Sequence, residues 1–140
     1  MAVPPLPDPA PTHLPPGFVS FPNHALEGTA VPLTSGPITP VQGPKTTRMR
    51  RYIPAPPSIE KLNHGPLVRV HVSYATAFAP EWFDGLTGAP VEISGSDGYY
   101  RTSGDLVSLI ILRGAWVVEV ITVGVSEAET LAVARSLNFA

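Results

Sequence analysis

Period-two alternation is the strongest pattern along the chain. In residues 67–74, Val68, Val70, Val72 and Tyr74 fall on one side of an extended backbone, while Arg69, His71 and Ser73 fall on the other. Successive side chains of a strand point to opposite faces, so this segment predicts a half-buried strand. Residues 106–123 repeat the pattern over a longer run. With a two-residue turn at Arg113-Gly114, Ile111 faces Trp116, Leu109 faces Val118 and Val107 faces Val120. One face of this hairpin is then wholly apolar. The other sets Ser108 opposite Glu119, with Ile110 and Val117 alongside. A one-residue slip would mix the two sets, so the pattern pins which side is which. Arg-Gly is not the favoured pair for a tight turn, which leaves a longer loop as the alternative.

Weaker patterns complete the outline. Residues 91–94 alternate, Ser96-Asp97-Gly98 reads as a turn, and Tyr99 begins a returning strand. Residues 14–21 read as a turn leading into a short strand, and residues 49–53 as a short edge strand. Residues 54–66 and 79–90 read as loops. After Gly124, Ser126 with Glu129 three residues on forms a capping box. Ala128, Leu131, Ala134 and Leu137 follow as an apolar stripe, which predicts a helix over residues 127–137 packed on the apolar sheet face.

Proline divides the chain. Sixteen of the 18 prolines fall at or before Pro66. Proline removes a backbone donor, so regular structure should concentrate after that point. Residues 1–13 are expected to be a proline-rich disordered tail, and residues 14–140 a single α+β domain with its regular core in residues 67–140. The expected fold is a curved, mainly antiparallel sheet with a C-terminal helix on one face, preceded by a proline-rich irregular segment.

Residues 107–125 have the length of a membrane span. They contain Arg113 and Glu119, and a charge at the centre of a span costs about 2.5–3.5 kcal/mol. The hairpin reading is therefore preferred, with no transmembrane segment. Residues 1–16 show neither the charged nor the apolar region of a signal peptide. A cytoplasmic location is expected if the chain is complete, and an extracytoplasmic one if it is a fragment.

The formal net charge is −2, and residues 67–140 hold four Lys and Arg against eight Asp and Glu. That balance does not suit a phosphate backbone, so nucleic acid is not an expected partner. The run Arg48-Met49-Arg50-Arg51 reads as a solvated strand face. With no cysteine, disulfides and thiolate chemistry are excluded. His13, His24, His64 and His71 lack metal-binding spacing and read as solvated. No cofactor is implied. A hydrolytic site built from His71, Asp97 and Asp105 would require those side chains to converge.

Candidate contact residues come from excess apolarity. Trp82 and Phe83 are adjacent in a loop, where one of them is expected at the surface. Leu106, Ile110, Leu112, Val117 and Ile121 form the outer hairpin face, which is too apolar for open water. Either residues 14–66 wrap over it or a partner covers it.

Two segments carry a family likeness. Leu14-Pro15-Pro16-Gly17-Phe18, together with the ending from Gly114-Ala115-Trp116 through Ser126-Glu127-Ala128-Glu129 to Leu137, resembles bacterial extracytoplasmic domains attached to membrane-bound anti-sigma regulators and lipoproteins. The likeness covers about half the chain. This chain departs from it in lacking a membrane anchor and in its long loop over residues 22–45. The resemblance implies a curved antiparallel sheet with a packed C-terminal helix, and it brings no catalytic residues. The expected function is a non-enzymatic binding or regulatory module contacting another protein or an envelope component. The alternative is a carrier holding a small apolar ligand between sheet and helix.

Overall fold

The computed structural model describes residues 6–21, 47–78, 80–86 and 88–137, with the side chains of residues 59, 63, 77, 80 and 83 left out. The fold is α+β and mainly sheet. Seven strands run β1 (Phe18–Phe21), β2 (Thr47–Pro54), β3 (Leu67–Tyr74), β4 (Ala89–Ile93), β5 (Ser96–Ser103), β6 (Leu106–Arg113) and β7 (Trp116–Val123). Short helices α1 (Ile59–His64) and α2 (Pro80–Asp84) interrupt them, and α3 (Glu127–Arg135) follows the last strand. All pairings are antiparallel, and the sheet order is β1-β2-β3-β7-β6-β5-β4. Two meanders, β1 to β3 and β4 to β7, are thus joined by the pairing of β3 with β7.

The alternation does what its period requires. Val68, Val70, Val72, Val118, Val120, Leu109 and Ile111 share one fully covered face, packed with Tyr52, Tyr74 and Ile93 and with Val133, Ala134 and Leu137 from α3 and the residues after it. Burying one such side chain stabilises the fold by roughly 1.5–3 kcal/mol. The hairpin turn is Gly114-Ala115 rather than Arg113-Gly114, because Arg113 itself pairs with Trp116. The difference is two residues in register, so every side chain keeps its face. Gly114 takes φ +60 at the first turn position, a conformation glycine reaches without strain. The β4–β5 turn is likewise Ser94-Gly95, both at positive φ as a type I′ turn requires, and Ser96-Asp97-Gly98 lie inside β5.

Four further readings are corrected. β2 is an eight-residue interior strand, since β1 pairs along its other side. Residues 54–66 contain α1, whose Ser58 side chain accepts from the Lys61 amide and whose end falls at Gly65. The buried side of α3 is Thr130, Val133 and Ala134, whereas Ala128 is exposed. Thr130 can face inward because its hydroxyl bonds Thr122 of β7 at 2.7 Å and donates to the Ser126 carbonyl at 2.9 Å, leaving no polar atom stranded. Trp116, placed on the apolar face, is half-buried at the edge of the core.

Residues 6–13 do not behave as a free tail. Leu6 is buried in the main core, Asp8 forms a two-point ion pair with Arg50 at 2.6 Å, and Pro11 bridges to Leu137. The Thr12 amide donates to the Ser136 hydroxyl, and His13 lies 2.7 Å from Glu129. Proline supplies few backbone donors, so this segment is held by side chains instead. Residues 1–5 of the expected tail lie outside the described residues.

Candidate functional site

The seven contact candidates divide into two groups. Trp82 stacks on Phe78, with ring centroids 4.2 Å apart, and together they lie over Ile110 and Val117 with Leu112 at the margin. Trp82, Ile110 and Val117 are only 8%, 2% and 4% exposed, so they form a second small core, not an open surface. Over this patch the cover comes from residues 75–78 and 80–86, where residues 79–90 were read as a loop and the cover was expected from residues 14–66 or from a partner. Topology explains it. The chain leaves β3 in the middle of the sheet and must reach β4 at the far edge, so the connection runs across the outer face. The Ala75 amide ties it to the hairpin tip through the Ala115 carbonyl at 2.7 Å. Ile121 is half-buried and Leu106 is 36% exposed, both away from this patch. The Phe83 side chain and residues 22–46 lie outside the described residues.

The middle of the outer face is polar, and several of its groups are buried. β2, β3, β7 and β6 bring together Arg51, Arg69, His71, Ser73, Glu119 and Ser108. Arg51 stands directly opposite Arg69, His71 opposite Glu119, and Ser108 opposite Ile121. The same alternation that buries the valines places these residues here. The reading of the arginine run as a solvated face is corrected in part. Arg50 and Arg48 reach the N-terminal segment, through Asp8 and the Leu6 carbonyl, while Arg51 lies half-buried on the outer face with its guanidinium 5.2 Å from the Phe21 ring.

His71 corrects the expectation of a solvated histidine, since it is 2% exposed. Burial, helped by the charge of Arg69, pushes its pKa down to about 4, so the ring is neutral at pH 7. Its Nε2 makes no hydrogen bond, nor do the shielded Nε atoms of Arg51 and Arg69 or the Ser73 and Ser108 hydroxyls. Burial lowers the pKa of both arginines. Arg51 is lowered further by Arg69, while Glu119 acts on Arg69 in the opposite direction. Like charges facing each other across strands are destabilising, and a shielded Nε–H without an acceptor is costly. The sequence signal was there: three polar residues alternate along β3. What it lacked was any sign that their face would be covered.

Other arrangements are not brought together. Asp97 pairs with Leu112 at one end of the β5–β6 ladder, and Asp105 lies in the turn at the other end, so neither joins His71. The layer between sheet and α3 is filled by Val133, Ala134, Leu137 and Leu6. Among the described residues no group of three or more His, Asp or Glu is placed to hold a metal ion, and no helix is long and apolar enough to cross a membrane. No protein-family model, curated protein or solved structure matches this chain.

Proposed function

We propose that this domain is a non-enzymatic binding module that contacts another protein or an envelope component through the outer face of its sheet. The observation that carries the reading is the polar band. This face also buries Met49 and Ile53 of β2 besides Ile110 and Val117, and a face kept solely for stability would continue in that way. Instead it holds Arg51 opposite Arg69, with His71 and Glu119 next along the strands. Such groups lower stability unless something answers them. The resemblance to extracytoplasmic regulatory domains points the same way.

The test is affinity capture from an envelope extract with the full chain, run beside an outer-face variant, Arg69→Glu. A protein or envelope component retained by wild type and lost by the variant is the expected result. Identical captures from both chains, or turnover of a substrate at this face, would remove the proposal.

A further inference from the structure

We infer that the inner side of the sheet carries a docking groove for an extended, proline-rich segment of a partner protein, and that residues 6–13 fill this groove in cis until the partner displaces them. The groove lies across the sheet from the outer face, and neither reading depends on the other. The segment seated there defines what the groove accepts. Leu6 and Pro9 are its buried positions, and Thr12, three residues further on, bonds Ser136. Three residues is the period of a polyproline II helix, which docks in grooves with little loss of entropy. Leu6 joins the main core with Tyr52, Val133 and Leu137, and its carbonyl accepts from Arg48 Nη1 at 3.4 Å. Arg50 grips Asp8 at two points, Nε donating to Oδ1 and Nη2 to Oδ2, both at 2.6 Å. The Thr12 amide donates to the Ser136 hydroxyl at 3.1 Å, and the Thr12 hydroxyl donates to the Ser136 carbonyl at 3.0 Å. Glu129, two helical turns back along α3, meets His13 at 2.7 Å. The groove therefore reads an apolar residue, an acid two positions on, and a proline after the acid.

Two features make this seat exchangeable. Its ion pairs are open to water: the side chains of Asp8 and Arg50 are 43% and 36% exposed, and those of His13 and Glu129 are 45% and 35% exposed. Water competes for such pairs, so they hold weakly. Pro7, Pro9 and Pro11 carry no amide hydrogen, so the segment cannot knit into the sheet as a strand does. The turn that follows selects a partner protein over a second copy of the chain. The Phe18 amide donates to the Pro15 carbonyl at 3.2 Å, with Pro16 and then Gly17 between them and Gly17 at φ +82, the sequence and backbone of a type II turn. Exchanging the segment between two copies would require opening this turn, whereas residues 6–13 can peel away while it stays closed.

The experiment measures fluorescence anisotropy of a labelled peptide copying residues 6–13, titrated with the full chain, beside the same peptide carrying Asp8→Lys. Wild type should take up the first peptide saturably and the Asp8→Lys peptide far more weakly. A full-chain variant with Leu6→Ala and Asp8→Ala, its own segment loosened, should bind the first peptide at least about tenfold more tightly than wild type, because apparent affinity scales with the fraction of open grooves. A second variant guards against loss of fold. Thr12→Cys with Ser136→Cys, in a chain that otherwise has no cysteine, pins the segment when oxidised and frees it when reduced. Oxidation should cut peptide uptake at least about tenfold, and reduction should restore it. No saturable uptake by wild type at millimolar peptide would make residues 6–13 a fixed part of the fold and overturn the proposal. Equal binding of the two peptides, or uptake indifferent to the disulfide, would overturn it as well. A wild-type dimer in sedimentation that the Leu6→Ala and Asp8→Ala changes dissociate would make a second copy the occupant, against the assignment to a partner protein.

Discussion

On one face of the sheet, β3, β7 and β6 present Val68, Val70, Val72, Val118, Val120, Leu109 and Ile111, all closed under α3 and the N-terminal segment. On the other face the same strands present Arg69, His71, Glu119 and Ser108, with an apolar patch at one end covered by Phe78 and Trp82. The backbone and its twist are shared, so the difference lies in the side chains alone. The first face has one task, exclusion of water. The second mixes a small core with charged groups whose burial opposes stability. That contrast separates what holds the domain together from what the proposed binding function would draw on.

If the outer patch is a true core, emptying it should hurt as much as emptying the main one. Trp82→Ala should destabilise by about 3–5 kcal/mol and Leu109→Ala by about 2–5 kcal/mol in denaturant melts. A loss below about 1 kcal/mol for Trp82→Ala would mean that residues 75–86 lie on the outer face without supporting it.

Acid should then act through the outer face. His71 is neutral in the folded state, with a pKa near 4, and has an ordinary value of 6.5 when unfolded. Between these values the unfolded chain binds the proton that the folded chain refuses. The stability that neutral His71 allows is therefore complete above pH 6.5 and is lost as pH falls toward 4, by about 3 kcal/mol. Chemical denaturation across this window should show that slope in wild type and a much flatter one in His71→Gln. Equal slopes in both would place the histidine in water.

A smaller effect marks the polar contact inside the main core. Thr130→Val strands the Thr122 hydroxyl and should cost about 1–3 kcal/mol, while the double change to valine should recover most of it. Non-recovery would show that the hydroxyls do more than answer each other. Smaller again, Asp8→Asn should cost less than about 1 kcal/mol, because the pair with Arg50 is largely exposed. A loss above 2 kcal/mol would make the N-terminal segment a structural strap.

Most of the sheet was legible in the sequence, because β3 alternates strictly and the β6–β7 hairpin has one wholly apolar side, with Ser108 and Glu119 marking the other. The capping serine Ser126 also marked the start of α3 correctly. What escaped was decided by tertiary contacts. Thr130 reads as polar until Thr122 lies opposite it, and residues 6–13 read as a spacer until Arg50 and Leu137 receive them. α1 carried its own signal in Ser58 and Gly65, set among prolines that point to loop. The site was half legible. Arg69, His71 and Ser73 were visible as one polar face, but alternation cannot say whether that face is wet, and the partnership of Arg51 with Arg69 depends on strand register.

The central claim is that the arginine pair is kept for binding and not for the fold. Arg51→Met is the most direct test, since methionine retains the apolar stem over Phe21 and removes the charge facing Arg69 while leaving Glu119 its neighbour. Unfolding free energy of the free full chain in denaturant should stay within about 0.5 kcal/mol of wild type or rise, because a desolvated like-charge contact is relieved. A loss of more than about 1.5 kcal/mol would contradict the account and make Arg51 a structural residue.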